Sequence, residues 1–185
     1  MAERLKVSAW NADVLLWSTE SSNLSDPLNI AEDINMISIC GDVHGFYELV
    51  VDYSRMAKEA GCVALCQVGD WGMHMREIHA AIVKSNYPHI PVYVIPGNHE
   101  YFDSWEGFEE TKEVMHNVTF VQRGHIMKVD GLNVLFFGGA SSIDKSYQGK
   151  NWDWREDIQP KDVERFEKNL LKFFLIPVMF GRTVG

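Results

Sequence analysis

Cysteine is scarce in this chain: there are three among 185 residues, Cys40, Cys62 and Cys66. Cys62 and Cys66 stand four apart in an apolar run that reads as a strand, and an even step predicts that both face the same side. A zinc site would need a second cysteine or histidine pair at matching spacing, and none follows. Buried, reduced thiols are the expectation. Basic residues are also few, with 17 Lys and Arg against 26 Asp and Glu and a net charge of −9. That balance excludes a basic nucleic-acid-binding surface, because counterion release needs clustered Lys and Arg. Any phosphorylated ligand would have to be attracted locally, which divalent cations held by carboxylates can do.

Long apolar runs are missing as well. The opening MAERLKVSAWNADVLLW is short and interrupted by Asn11 and Asp13, with no cleavage site after a continuous apolar stretch. The late run Leu170 to Phe180 contains Lys172 and Pro177 and is half the roughly 20 residues that a membrane crossing needs. The expectation is a soluble, cytoplasmic protein without a membrane partner. Internal repeats and low-complexity segments are absent too.

What is present is the composition of a folded domain, 46% apolar and 12% aromatic. The length suits a single core. Residues 1–33, with a Ser/Asn/Asp/Pro cluster from Ser21 to Asn29, read as an N-terminal extension, and residues 34–185 as the domain. There, Ile34 to Cys40 forms an apolar run ending at Gly41-Asp42. Phe46 to Glu59 has helical spacing with Gly61 just beyond its end. The unit repeats as a strand over Cys62 to Val68, a loop at Gly69-Asp70, a helix over about Met75 to Lys84, and a strand over Val92 to Ile95 before Pro96-Gly97-Asn98-His99-Glu100.

Strand, loop, helix, strand predicts right-handed crossovers and parallel pairing. In parallel sheets ligands collect beyond the carboxyl ends of the strands, and Asp42/His44, Asp70 and Asn98/His99 all follow such ends. Further on, the pattern predicts a helix over Trp105 to Met115 and strands over Val118 to Val121, Ile126 to Val129 and Leu132 to Phe137. The last two are joined by the hairpin signal Asp130-Gly131. A mixed sheet or a second sheet follows. A helix over Lys161 to Phe173 closes the pattern.

The three loops carry the chemistry. Asp42 and His44, two residues apart between glycines, can both turn onto one cation. Carboxylate plus imidazole suits Mn, Fe or Zn. Asp70 has two oxygens and could bridge a pair of ions, and Asn98 would be a neutral ligand to the second. His99 stands where an imidazole could donate a proton to a leaving oxygen, with Glu100 as its orienting group and a metal-bound hydroxide as nucleophile. Asp or Asn after a strand commonly caps a helix or makes a turn. That reading suits any one of them but not two aspartates and two histidines at successive strand ends. His74, His79, His89, His116 and His125 read as surface or packing residues, with His74 alone close enough in sequence to Asp70 to be near the site.

These motifs, Gly41-Asp42-Val43-His44-Gly45, Gly69-Asp70-Trp71 and Gly97-Asn98-His99-Glu100, resemble those of the calcineurin-like metallophosphoesterase superfamily. Asn117 to Asp144 is similar to a segment of its bacterial and phage members. The resemblance implies an α/β fold, a mixed β-sheet sandwich flanked by helices, and hydrolysis of phosphomonoester or phosphodiester bonds at two divalent ions, Mn, Fe or Zn. It implies metal ligation by Asp42 and His44, bridging by Asp70, second-metal ligation by Asn98, and a catalytic proton or phosphate contact from His99. Substrate-binding residues are left open.

The family pattern continues with a later histidine after a strand and then Gly-His-x-His, whereas the last histidine here is His125. Both ions would then be short of imidazole ligands and the C-terminal part of the fold would be incomplete. This departure suggests truncation, a split enzyme completed by a partner chain, or a non-catalytic phosphate- or partner-binding module on the same fold. With the later strands absent, Leu132 to Phe137 is expected to present an open sheet edge.

Overall fold

Apolar runs that end in Gly-Asp or Pro-Gly form the strands that carry the site. The computed structural model describes residues 4–9, 12–17, 36–72, 87–105, 109–139, 145–146 and 152–174. The first sheet holds β3 (Met36–Cys40), β4 (Cys62–Val68), β5 (Val92–Ile95), β6 (Lys112–Met115) and β7 (Val118–Phe120) in the order β3-β4-β5-β7-β6. Pairing is parallel from β3 through β7, and β6 is antiparallel. The second sheet, order β1-β2-β9-β8, joins β1 (Arg4–Ala9), β2 (Ala12–Trp17), β8 (His125–Val129) and β9 (Leu132–Gly138), all antiparallel.

Period-two alternation assigns the two faces of the first sheet. Leu65, Val92, Val94, Val118 and Phe120 pack with Tyr47, Val50, Val51 and Ala57 of helix α1 (Tyr47–Glu59). Ala64, Cys66, Val68 and Ile95 meet Val129, Val134 and Phe136 of the second sheet, with the Tyr93 and Phe136 rings 5.7 Å apart between the layers. Burial on both faces explains why β4 reads as a nearly continuous apolar run. The buried residues of α1 recur at three- and four-residue steps, and Gly61, at φ 83°, ends it. On the far side, helix α2 (Pro160–Phe174) sets Phe166 against Phe137 at 5.6 Å, and Asn169 Nδ2 donates to Gly124 O at 2.9 Å.

The structure departs from the sequence pattern in four places. Residues 112–115 form β6 rather than the end of a helix over Trp105 to Met115, and Phe102–Ser104 is a short 3-10 turn. The cause is tertiary: His116-Asn117, with Asn117 left-handed at φ 61°, folds β6 back onto β7, and Asn117 is held by Pro88 O and Val92 N. Cys62 and Cys66 do not share a face. Met36 pairs with Cys62 but Ile37 with Ala64, so β4 carries an extra residue there. That irregularity turns Cys62 to the α1 side while Cys66 stays between the sheets. All three thiols are free, and burial pushes those of Cys40 and Cys66 up to about 12.

The other two departures concern the second sheet. Strands β1 and β2 come from residues set apart as an extension, and β2 pairs with β9 from Ala12↔Gly138 to Trp17↔Asn133. β9 therefore lies between β2 and β8, and the open edge expected there is absent. The helix expected over Met75 to Lys84 lies outside the described residues. Among the described residues no helix is long and apolar enough to cross a membrane.

His125, partly buried at the start of β8, has its pKa lowered by burial and then by the Arg165 charge. The unfolded chain accepts a proton near pH 6.5, whereas the folded one resists it until lower pH. Stability should therefore fall as pH drops below that value. In urea unfolding between about pH 5 and 7, His125→Gln is expected to flatten this slope, and an unchanged slope would assign it elsewhere.

Candidate metal centre

Each of the strands β3, β4 and β5 ends in a loop bearing candidate residues, and the loops are tied to one another before any side chain is considered. Asp42, His44 and Gly45 donate backbone N–H bonds to the carbonyls of Gly69, Asp70 and Trp71 at 3.1, 2.9 and 2.9 Å. Buried Gln67 shapes the second loop from within its strand: Nε2 donates to Gly69 O at 2.6 Å and Oε1 accepts from Gly69 N at 3.3 Å. Asp42, His44 and Asp70 have left-handed backbones, φ 55°, 43° and 56°, while Asn117 and Asp130, the other such non-glycine residues described, sit in hairpin turns. That conformation costs on the order of 1 kcal/mol per residue. Here it turns three side chains toward one point.

Ligand atoms of Asp42, His44 and Asp70 lie within 4.8 Å of one another. His44 Nε2 stands 3.8 Å from Asp42 Oδ1 and 3.7 Å from Asp70 Oδ2. Donors bound about 2.1 Å from an ion stand roughly 3 to 3.5 Å apart, so the group could hold one cation after a contraction. The Asp42 side chain is 64% exposed and that of Asp70 only 5%. The group is closed beneath and open to solvent above. Two carboxylates and an imidazole are a donor set for Mn, Fe or Zn.

Asp70 Oδ1 accepts the N–H groups of Asn98 and His99 at 3.1 and 3.2 Å, leaving Oδ2 toward His44. His99 is exposed, its ring centre 5.3 Å from that of His44. Gly97 is a steric requirement, because a Cβ there would stand 2.2 Å from Asp70 Oδ1 and 2.5 Å from Asp70 N. A sequence model of the calcineurin-like phosphoesterases matches residues 36–175, well over half of the chain. The chain belongs to the calcineurin-like phosphoesterase family. Phosphoester hydrolysis with divalent metal is the chemistry of this family, and the group at the ends of β3 and β4 suits it. No curated protein matches the chain.

In this phosphoesterase fold, the residues singled out from sequence meet unequally. Asp42, His44 and Asp70 converge, His99 joins them through its ring, and Asn98 is tied in through its backbone N–H. Glu100 does not act as expected. Its Oε1 accepts from Trp71 N and Gly97 N, both at 2.9 Å, and its Oε2 from Gly72 N at 3.1 Å. Those oxygens serve the backbone rather than the His99 imidazole. Burial raises the Glu100 pKa, the three N–H bonds oppose this, and the Asp70 charge adds to it. Gln67 was missed altogether; a lone amide inside an apolar strand run was the available signal. His74 and His79 lie outside the described residues. His89 and His116 are exposed, the latter with Tyr87 edge-on at 5.4 Å.

Proposed function

We propose that this chain is a metal-dependent phosphoesterase, hydrolysing phosphomonoester or phosphodiester bonds at a centre of two divalent ions. The observation that carries the reading is the convergence of Asp42, His44 and Asp70, each from a strained loop residue, in a chain of this family. Asp42 and His44 would hold one ion, Asp70 would serve both, and Asn98 would serve the second. Bound ions supply Lewis-acid stabilisation of the charge that builds on the phosphoryl oxygens. His99 provides the proton for the leaving oxygen, a role supported by its exposure and its place beside His44. Asp70, with Oδ1 committed to two amides, keeps Asn98 and His99 in register with the group.

A second reading, a phosphate- or partner-binding module with a single ion, is favoured by the size of the group. Among the described residues, three side chains converge, enough for one ion. Metal analysis after loading with Mn2+, together with hydrolysis of a generic aryl phosphate, separates the two. The phosphoesterase reading expects close to two equivalents and measurable turnover. One equivalent or less without turnover would favour the binding module.

A further inference from the structure

Two carboxylates brace the loops after β4 and β5 in opposite directions. Asp70, on the first loop, accepts from Asn98 N and His99 N on the second. Glu100, on the second, accepts from Trp71 N and Gly72 N on the first, and from Gly97 N on its own loop. Five N–H groups beyond the strand ends, where no ladder continues, are satisfied by two side chains. Trp71 is held from both sides, its N–H by Glu100 and its carbonyl by Gly45 N at 2.9 Å. Gly72 lies so close to the first loop that a Cβ on it would stand 3.2 Å from His44 Cα. Slack at Trp71-Gly72 would therefore be passed to His44.

The Glu100 charge has a counterpart in Arg123, just beyond β7. This buried arginine donates from Nη1 to Asp157 O at 3.0 Å and from Nη2 to Glu156 O at 3.3 Å, and its Nη1 lies 3.7 Å from Asp162 Oδ2. Its guanidinium also interacts with Glu100 through space.

We propose that Glu100 is a positioning residue: by accepting from Trp71, Gly72 and Gly97, it sets the spacing of the Asp42, His44 and Asp70 ligand atoms. This rests on the reading of those three residues as ion ligands. Outer partners of this kind commonly change metal affinity by about 10- to 100-fold. Glu100→Gln preserves volume and the oxygen that serves Trp71 and Gly97, but turns an NH2 group toward the Gly72 N–H. Glu100→Ala removes all three acceptors.

The test uses the full chain, with Mn2+ titration calorimetry and metal-free amide hydrogen exchange on the unsubstituted protein and both variants. Affinity for Mn2+ should fall about 10-fold in Glu100→Gln, with the melting temperature little changed, and about 100-fold in Glu100→Ala. Exchange protection should be lost at Gly72 in the first and at all three amides in the second. Mn2+ affinities within about twofold of the unsubstituted chain would overturn the proposal, since a merely structural role lowers stability without moving affinity. Should Glu100→Ala fail to fold, the Gln variant decides. If the unsubstituted chain binds no Mn2+, the ion reading fails, and the exchange series judges the brace alone: graded loss upholds it, uniform protection removes it.

Discussion

Asp70→Asn is expected to abolish aryl phosphate hydrolysis, by about 10³-fold or more, while leaving the fold in place. The side chain has two separable tasks. Oδ1 accepts from Asn98 N and His99 N, and an asparagine oxygen can keep both bonds. Oδ2, facing His44 Nε2 at 3.7 Å, becomes an NH2 group, which cannot ligate a cation and removes one of two carboxylates from the group. Mn2+ affinity should fall on the order of 10²-fold, because loss of a ligand costs at least as much as loss of a supporting partner. The melting temperature should move by no more than about 4 °C, corresponding to about 1 kcal/mol in a chain of this size. Metal analysis, turnover and a thermal melt on one preparation check all three. Turnover within about twofold of the unsubstituted chain would remove Asp70 from the site.

Gly97→Ala should damage stability and activity together. The new methyl group would stand 2.2 Å from Asp70 Oδ1, 2.5 Å from Asp70 N and 3.1 Å from Gly69 C, mostly backbone that cannot rotate away. The loop after β5 must retreat, stretching Gly97 N to Glu100 and both amides to Asp70. Overpacking of this kind costs about 1 to 3 kcal/mol, and strained hydrogen bonds add about 1 more. A melting temperature lower by about 5 to 15 °C follows. Displacing the loop by about 1 Å should also cut turnover on the order of 10²-fold. Calorimetric melting and turnover measure both effects, and an unchanged melting temperature would mean that the two loops are not so closely apposed.

Particular elements explain how far the residues could be read in order. The ends of β3, β4 and β5 were legible because each joins an apolar run to a glycine and a polar residue, a contrast that needs only neighbours in sequence. Asp42, His44, Asp70 and His99 followed from those ends. Strand β6 was misread since Lys112–Met115 has no strong preference, and its partner β7 decides its state. The place of Cys62 depends on one extra residue in β4 relative to β3, which leaves no mark in either strand alone.

Local order along the chain was enough for the parallel strands, the helix before Gly61, and the residue types at the three loops, because hydrophobic period and turn chemistry act over a few residues. The backbone bonds that tie the loop of Asp42 and His44 to that of Asp70, the commitment of Glu100 to Trp71 and Gly72, and the pairing of β2 with β9 are different in kind. They join segments from about 30 to more than 100 residues apart, and only packing of the layers brings those segments close enough for hydrogen bonds to choose among them.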